Sequence, residues 1–189
     1  MMIHKVFLLL MATMGLIACS MGHSVEKNDN MVSLDTAQLV NRVNEIYADV
    51  FNYYEQKASN QDATPRLTGV KPPSVRFCTR DWNDCVNRVT AYDSTHAQDG
   101  EMGFFDVDYW VMGQDYGDLS VSDVHVTSMT DSTATVELNL HNFGNVTAVR
   151  LLMSLDRNEW RIDDFIDMTN DFDWKASMTE YLSEDKPNH

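Results

Sequence analysis

The clearest pattern in this chain is a strict alternation of apolar and polar residues over positions 133–141. The apolar members share one face: Ala134, Val136, Leu138 and Leu140. A period of two predicts a strand with one buried and one exposed face. Similar segments at 124–129, 146–155 and 159–165 are separated by short polar turns. Together they predict a four-stranded antiparallel meander over residues 119–165.

Upstream of the strands, the period changes to that of a helix. One stripe collects Leu39, Val43, Ile46, Val50 and Tyr54, and Tyr47 and Phe51 widen it. Asp35, with Gln38 three residues later, is typical of a helix N-cap. The apolar stripe matches the buried face of the meander, so we expect a single α+β domain over residues 35–189 with the helix packed on the sheet.

Three shorter elements complete the predicted domain. Residues 74–77 favour a short extended segment. Thr79 is a candidate N-cap for a second helix that would turn Trp82, Cys85 or Val86, and Val89 inward. Residues 169–185 could form a C-terminal helix with a weak apolar stripe, which consists of Phe172, Met178 and Leu182.

The N-terminus resembles a bacterial lipoprotein signal. Lys5 precedes a short apolar run that ends at Ala18, and Cys19 follows directly. We therefore expect a signal peptide over residues 1–18, acylation (palmitate included) of Cys19 and a flexible tether over residues 19–34. Ser20 is not the Asp that retains lipoproteins at the inner membrane, which favours the outer membrane, on its periplasmic or surface face. The alternatives are an ordinary signal peptide with an incidental Cys, or a short membrane anchor.

Charge excludes one class of partner. The chain has 29 acidic and 14 basic residues and a net charge of −15. It therefore lacks the basic surface that replaces phosphate counterions, so we expect no nucleic-acid partner. The same charge argues against lying flat on anionic lipid, which leaves the acyl chains on Cys19 as the membrane attachment.

Two cysteines remain once Cys19 is acylated, and an oxidising compartment favours a bridge between Cys78 and Cys85. Two residues seven apart on one helix are separated by about 10 Å, which is too far for a disulfide. A bridge therefore requires Cys78 to lie before the helix, and both states stay open. No His or further Cys pair stands at zinc-ligand spacing, so we expect neither a metal nor a cofactor.

Three segments carry a resemblance to a known family. They are DYWVMGQDY at 108–116, TDSTATV at 130–136 and EWRIDDF at 159–165. They resemble a domain-of-unknown-function family of exported bacterial proteins, many of them lipoproteins, that is similar to the cystatin-like cone fold of nuclear transport factor two. The resemblance implies a long helix cradled by a curved antiparallel sheet. Proteins of this fold include isomerases, dehydratases and hydrolases as well as binding modules, so the fold does not select a function.

The resemblance also suggests where a site would lie. Enzymes of this shape use a carboxylate inside the cone, often with Tyr or His. The candidate binding residues here are Asp108, Gln114, Asp115 and Tyr116. Asp163 and Asp164, at the end of the last strand, are further candidates. Solvated carboxylates at loop edges are the simpler interpretation, and no catalytic residue is assigned.

We expect a non-catalytic extracytoplasmic binding module for a small molecule, peptide or protein partner. A first alternative is a cofactor-free isomerase or hydrolase that uses a desolvated Asp108 or Asp115. A second is an inhibitor or immunity-type protein, which an exposed apolar patch at Phe104, Phe105 and Trp110 would favour.

Overall fold

The computed structural model describes residues 25–59, 70–96 and 103–183, with side chains from residue 35 onward. Its helices are α1 Val25–Ser59, α2 Pro73–Phe77, α3 Arg80–His96 and α4 Trp174–Tyr181. Its strands are β1 Ser120–Met129, β2 Thr133–Asn142, β3 Asn145–Asp156, β4 Glu159–Asp167 and β5 Phe172–Asp173. The chain is therefore an α+β protein with an N-terminal helix.

The five strands form one open antiparallel sheet in the order β1-β2-β3-β4-β5. The predicted four-stranded meander is confirmed, and β5 adds a short pairing of Phe172 with Asp167 at its edge. Pairing of β2 with β3 runs without interruption from Thr133–Ser154 to Asn142–Asn145. This unbroken register follows from the strict alternation, since a slip of one residue would turn the apolar face toward water.

The core lies between α1 and one face of the sheet. From α1 it takes the predicted stripe, with Leu39, Val43, Ile46, Tyr47 and Val50 fully buried. The sheet contributes the alternating apolar residues of β2 and β3, among them Val136 and Leu151. Helix on sheet is thus confirmed, because each element has one apolar face that only the other can cover.

The long helix begins earlier than the sequence predicts. It starts at Val25, so Asp35 is an exposed residue within α1 and the N-cap prediction is wrong. Residues 25–59 contain no Gly or Pro, so nothing in this stretch interrupts helix propagation. The predicted tether overlaps α1 at 25–34. Residues 19–24 and the predicted signal peptide, with Cys19, lie outside the described residues.

The second predicted helix is confirmed as α3. The hydroxyl oxygen of Thr79 accepts a hydrogen bond from the Trp82 amide at 3.1 Å, as expected of an N-cap. Trp82, Cys85 and Val89 are buried. Within the described ranges, no helix has the length and hydropathy that a membrane crossing requires.

One shorter prediction is wrong, and a second is confirmed only in part. Residues 74–77 belong to α2 rather than an extended segment, because Pro73 occupies the first turn, where its fixed φ favours a helix. The C-terminal helix is shorter than the predicted 169–185. Asp167 accepts hydrogen bonds from the Thr169 and Asn170 amides in a turn, Phe172 joins β5, and Asp173 then caps α4 through the Ala176 amide at 2.8 Å.

Candidate functional site

The space between helix and sheet is filled by aromatic side chains. Tyr47 and Phe165 have no exposed surface, and Trp110 is 3% exposed. The ring of Trp110 lies 6.0 Å from that of Tyr47 and 4.9 Å from that of Phe165, centroid to centroid. These rings fill interior space that a ligand cavity between α1 and the sheet would need. Open space must therefore be sought at the surface.

Asp108 ties the loop over residues 103–119 to α1. One carboxylate oxygen accepts a hydrogen bond from the Tyr54 hydroxyl, and the other accepts from the Trp110 amide at 2.8 Å. Burial, followed by the charge of Asp108, raises the pKa of Tyr54 well above its usual range, so this hydroxyl stays a donor. Both oxygens of Asp108 are thus engaged within the fold, which is a structural arrangement rather than that of a free general base.

A cleft of about 250 Å³ opens beside Asp108. Its walls are mainly aromatic and proline side chains, and Lys57 and Ser74 add polar groups; the lining includes Tyr53, Tyr54, Pro72, Pro73, Phe105 and Tyr109. Much of this aromatic surface packs against the core. The ring centroid of Tyr109 lies 5.0 Å from that of Trp82 and 5.0 Å from that of Phe165.

The other candidate binding residues separate into two groups. Tyr116 packs on Tyr54 with a centroid distance of 4.7 Å and donates a hydrogen bond to the Tyr54 carbonyl at 3.3 Å. Gln114 and Asp115 are exposed. The structure therefore brings Asp108 and Tyr116 together around Tyr54, which the sequence placed only in the apolar stripe of α1.

Asn142, which the sequence did not single out, fixes the loop that carries Gln114 and Asp115. Its side-chain amide donates hydrogen bonds to the carbonyls of Val111 at 3.1 Å and Asp115 at 2.9 Å, and accepts one from the Gly117 amide at 3.1 Å. The loop therefore lies against the turn between β2 and β3. The only sequence signal for this role was that Asn142 lies in the turn predicted between the strands at 133–141 and 146–155.

The aromatic group at Phe104, Phe105 and Trp110 does not form an exposed patch. Trp110 is buried, and both phenylalanines are half-buried against the core. The Phe104 ring lies 5.2 Å from that of Tyr181, and Phe105 stacks nearly parallel to Trp174 at 6.3 Å. This packing favours a role in holding the loop and α4 on the domain.

Asp163 and Asp164 connect β4 to two helices. Asp163 accepts hydrogen bonds from the Thr79 hydroxyl at 2.7 Å and from the Lys175 ammonium at 2.9 Å. Asp164 is 5% exposed and accepts from the Phe165 and Lys175 amides at 2.7 and 3.1 Å. Burial, and then the nearby carboxylate of Asp173, raises the pKa of Asp164 to about 7. These carboxylates lie at the start of α4 rather than in a central cavity.

Cys78 and Cys85 are free, and both are buried. Cys78 lies just before α3 and Cys85 lies within it, so the bridged form stays a prediction. Burial raises the pKa of the Cys78 thiol well above its ordinary value. In the part of the chain that the structure describes, no three His, Cys, Asp or Glu side chains are grouped to hold a metal ion.

A groove of about 340 Å³ opens where α1 passes the end of the sheet that carries the β1–β2 and β3–β4 turns. Apolar side chains line it at Met129, Leu155 and Trp160. Its polar groups come from Asp35 and Gln38 on α1 and from Thr130 and Asp131 in the β1–β2 turn. The lining thus includes two exposed carboxylates and neither Lys nor Arg.

The sequence did not predict this groove. Asp35 was interpreted as an N-cap, whereas Asp131 lies in the short turn before the predicted strand at 133–141 and Trp160 in the last predicted strand. The three come together only through the packing of α1 across the sheet.

The chain matches no protein-family model, no curated protein and no solved structure. Its function must therefore be inferred from the geometry of its own residues.

Proposed function

We propose that this chain is a lipid-anchored, extracytoplasmic binding module that holds a small organic cation with an apolar body in the groove between α1 and the sheet ends. The observation that carries the proposal is the composition of the lining, in which the carboxylates of Asp35 and Asp131 flank the apolar surface of Trp160, Met129 and Leu155. A ligand that combines a positive charge with an apolar group satisfies both kinds of surface.

The size and chemistry of the groove support this assignment. Ligand pockets occupy roughly 300–1,000 Å³ and combine an apolar surface with a few polar groups. The groove at about 340 Å³ lies within this range, as does a shallower hollow of about 640 Å³ beside Asp164, Asp173 and Lys175, whereas the cleft beside Asp108, at about 250 Å³, lies below it. The indole of Trp160 is half-buried, and a tryptophan face is the best aromatic partner for a cation.

Electrostatics favour a cation over an anion at this groove. The net charge of −15 raises the local concentration of cations around the whole molecule. Arg161, on the neighbouring stretch of β4, pairs with Glu159 at 3.0 Å and is not part of the lining. Two carboxylates therefore face an incoming ligand without a compensating basic side chain in the lining.

The anchoring and localisation parts of the proposal rest on the sequence. Cys19 follows Ala18 at the end of a short apolar run, which supports acylation and attachment to the bacterial envelope, at the outer membrane. The resemblance to the cystatin-like cone family agrees with a long helix on an antiparallel sheet. A non-catalytic role is supported by Asp108, whose two oxygens are already bonded, and by Asp115, which is exposed.

Calorimetric titration of the full-length protein in an uncharged detergent tests the binding proposal. The probes are benzyltrimethylammonium and phenethylammonium, with neutral 2-phenylethanol as the uncharged control. We expect both cations to bind more tightly than the neutral probe, because only they interact with the carboxylates. Equal binding of the cations and 2-phenylethanol would contradict the proposal.

Variants locate the binding in the groove. Asp131→Asn should weaken binding of the cations about three- to tenfold, as expected for the loss of one partly exposed charge contact of roughly 1 kcal/mol. Trp160→Leu should weaken binding further, since it removes the aromatic face. Asp118→Asn is the matched control, because Asp118 is an exposed carboxylate outside the groove. An equal effect of Asp118→Asn would indicate non-specific attraction.

Metabolic labelling tests the anchor. A clickable palmitate analogue should label the wild-type chain and fail to label Cys19→Ser, because the diacylglyceryl group attaches to that thiol. Cys85→Ala is the control and should keep the label. Retained label in Cys19→Ser would remove the lipoprotein assignment without affecting the groove.

A further inference from the structure

The turn between β2 and β3 has an unusual residue at its first central position. Asn142 pairs with Asn145, so Phe143 and Gly144 form a two-residue turn. Their φ angles are +50° and +76°. Positive φ at both central positions belongs to a type I′ turn, which favours Asn, Asp or Gly at the first position. A bulky residue in this region is a conformational outlier and costs free energy.

Burial of the Phe143 side chain contributes little to the stability of the fold. Phe143 is 59% exposed, and Val146, the second residue of β3, is 51% exposed. One side of the Phe143 ring rests on Gly117, where an added Cβ would overlap the ring. The phenyl group thus has one side packed on the loop while most of its surface faces solvent. A residue that combines backbone strain with an exposed aromatic ring is a candidate interaction site.

We propose that this hairpin tip, formed by Phe143 and Val146, docks a protein partner that offers an apolar pocket with a basic rim. The tip is a second binding surface, separate from the cation groove. Phe143 is the anchor that fills the pocket, and Val146 extends the apolar contact.

The basic rim of the partner is inferred from the acidic residues beside the tip. The Phe143 amide donates a hydrogen bond to the Gly117 carbonyl at 2.8 Å, which holds the 114–118 segment against the turn. Asp115 and Asp118 in this segment are exposed, as is Gln114. Carboxylates around an apolar anchor select a partner with Lys or Arg around its pocket and suppress acidic partners.

The tip lies far from the groove, and the charge beside it favours a protein over a membrane. Asp131, at the other end of β2, lines the groove together with Asp35, whereas the tip lies beyond Asn142. The tip and the groove are therefore separated by about 30 Å, the length of β2. The carboxylates of Asp115 and Asp118 beside the tip oppose an anionic lipid surface.

Selection of peptides from a random phage-displayed library tests the proposal. The bait is the immobilised full-length protein in an uncharged detergent, with Phe143→Asn as the counter-selection bait. Asn is favoured at the first position of a type I′ turn, so Phe143→Asn should unfold at the same temperature as wild type or higher. Val146→Thr is a second variant that preserves the strand and keeps the test valid should the first fail to fold.

We expect selected peptides to place Lys or Arg around an aromatic or branched aliphatic residue. Their affinity should fall at least tenfold on Phe143→Asn and severalfold on Val146→Thr, and Asp115→Asn should reduce the dependence of affinity on salt. Absence of peptides that distinguish wild type from Phe143→Asn would overturn the proposal, as would selection of acidic peptides.

Two further measurements test whether a second copy of the chain or a membrane occupies the tip instead. Sedimentation that shows a dimer lost in Phe143→Asn would assign the tip to a second copy of the chain. Flotation with phosphatidylethanolamine–phosphatidylglycerol vesicles, if lost in Phe143→Asn and kept in Cys19→Ser, would assign it to the membrane. Either result overturns the protein-partner proposal. Asp131→Asn, which acts on the groove, should leave peptide binding unchanged.

Discussion

The hydroxyl of Tyr54 on α1 donates a hydrogen bond to the carboxylate of Asp108 in the loop that precedes the sheet. Tyr54 is 5% exposed, and this carboxylate is the partner that its hydroxyl has within the fold. The contact fixes the loop carrying Trp110 against the long helix. It also uses one of the two carboxylates that the isomerase or hydrolase alternative would require.

Replacing Tyr54 by Phe should lower the free energy of unfolding by about 1.5–3 kcal/mol, the range for a hydrogen bond to a charged group. The loss arises because one oxygen of the half-buried Asp108 carboxylate is left without its partner. Urea unfolding of the full-length protein measures it. Tyr53→Phe on the same helix is the control and should change stability by less. Equal stability of Tyr54→Phe and wild type would show that the bond adds nothing to the fold.

Thr79→Ala should lower the free energy of unfolding by at least about 1–2 kcal/mol, the cost of losing an N-cap. The Thr79 oxygen accepts from the Trp82 amide at 3.1 Å and the hydroxyl donates to Asp163 at 2.7 Å, so both bonds are lost together. Thr79→Ser keeps the hydroxyl and should retain most of the stability. Urea midpoints of the three proteins give the comparison, and a Ser variant as weak as Ala would indicate packing of the Thr methyl instead.

The contribution of Asp164 to the stability of the fold should decrease as the pH rises toward neutrality. Its pKa is about 7 in the folded chain against 3.8 for the unperturbed group, so the folded state retains a proton that the unfolded state releases. This contribution to stability is complete below about pH 4 and is lost as the pH rises through 7.

Asp164→Asn isolates that contribution. The difference in unfolding free energy between wild type and Asp164→Asn should favour wild type more at pH 4.5 than at pH 8. Thermal unfolding at both pH values, with Asp131→Asn as a surface control, measures the difference. A difference independent of pH would place the pKa of Asp164 near its ordinary value.

The long regular elements could be predicted because their signals are local and repeated. The alternation in β2 and the stripe in α1 each contain several independent apolar positions, and the Thr79 cap lies three residues from the amide that it binds. The short elements could not be predicted in this way. The two residues of β5 form a strand only because Asp167 is already placed opposite Phe172.

The sites were harder to predict than the fold because their residues are distant in the sequence. Asp108 was singled out, but Tyr54, its partner, is 54 positions away. The groove joins α1 to two separate turns of the sheet, so Asp35, Asp131 and Trp160 carry no common sequence signal. Phe143 had a signal, since a Phe-Gly pair in a two-residue turn departs from the usual Asn-Gly, but its exposure required the structure.

The binding of an organic cation next to Trp160 is tested most directly by nuclear magnetic resonance. The ¹⁵N-labelled full-length protein in an uncharged detergent is titrated with benzyltrimethylammonium, and Trp160→Phe assigns the indole N–H signal. We predict a saturable shift of the Trp160 indole signal, reduced in Asp131→Asn, while the signal of Trp82, which has no exposed surface, stays in place. An unmoved Trp160 signal at saturating cation would contradict the proposed function.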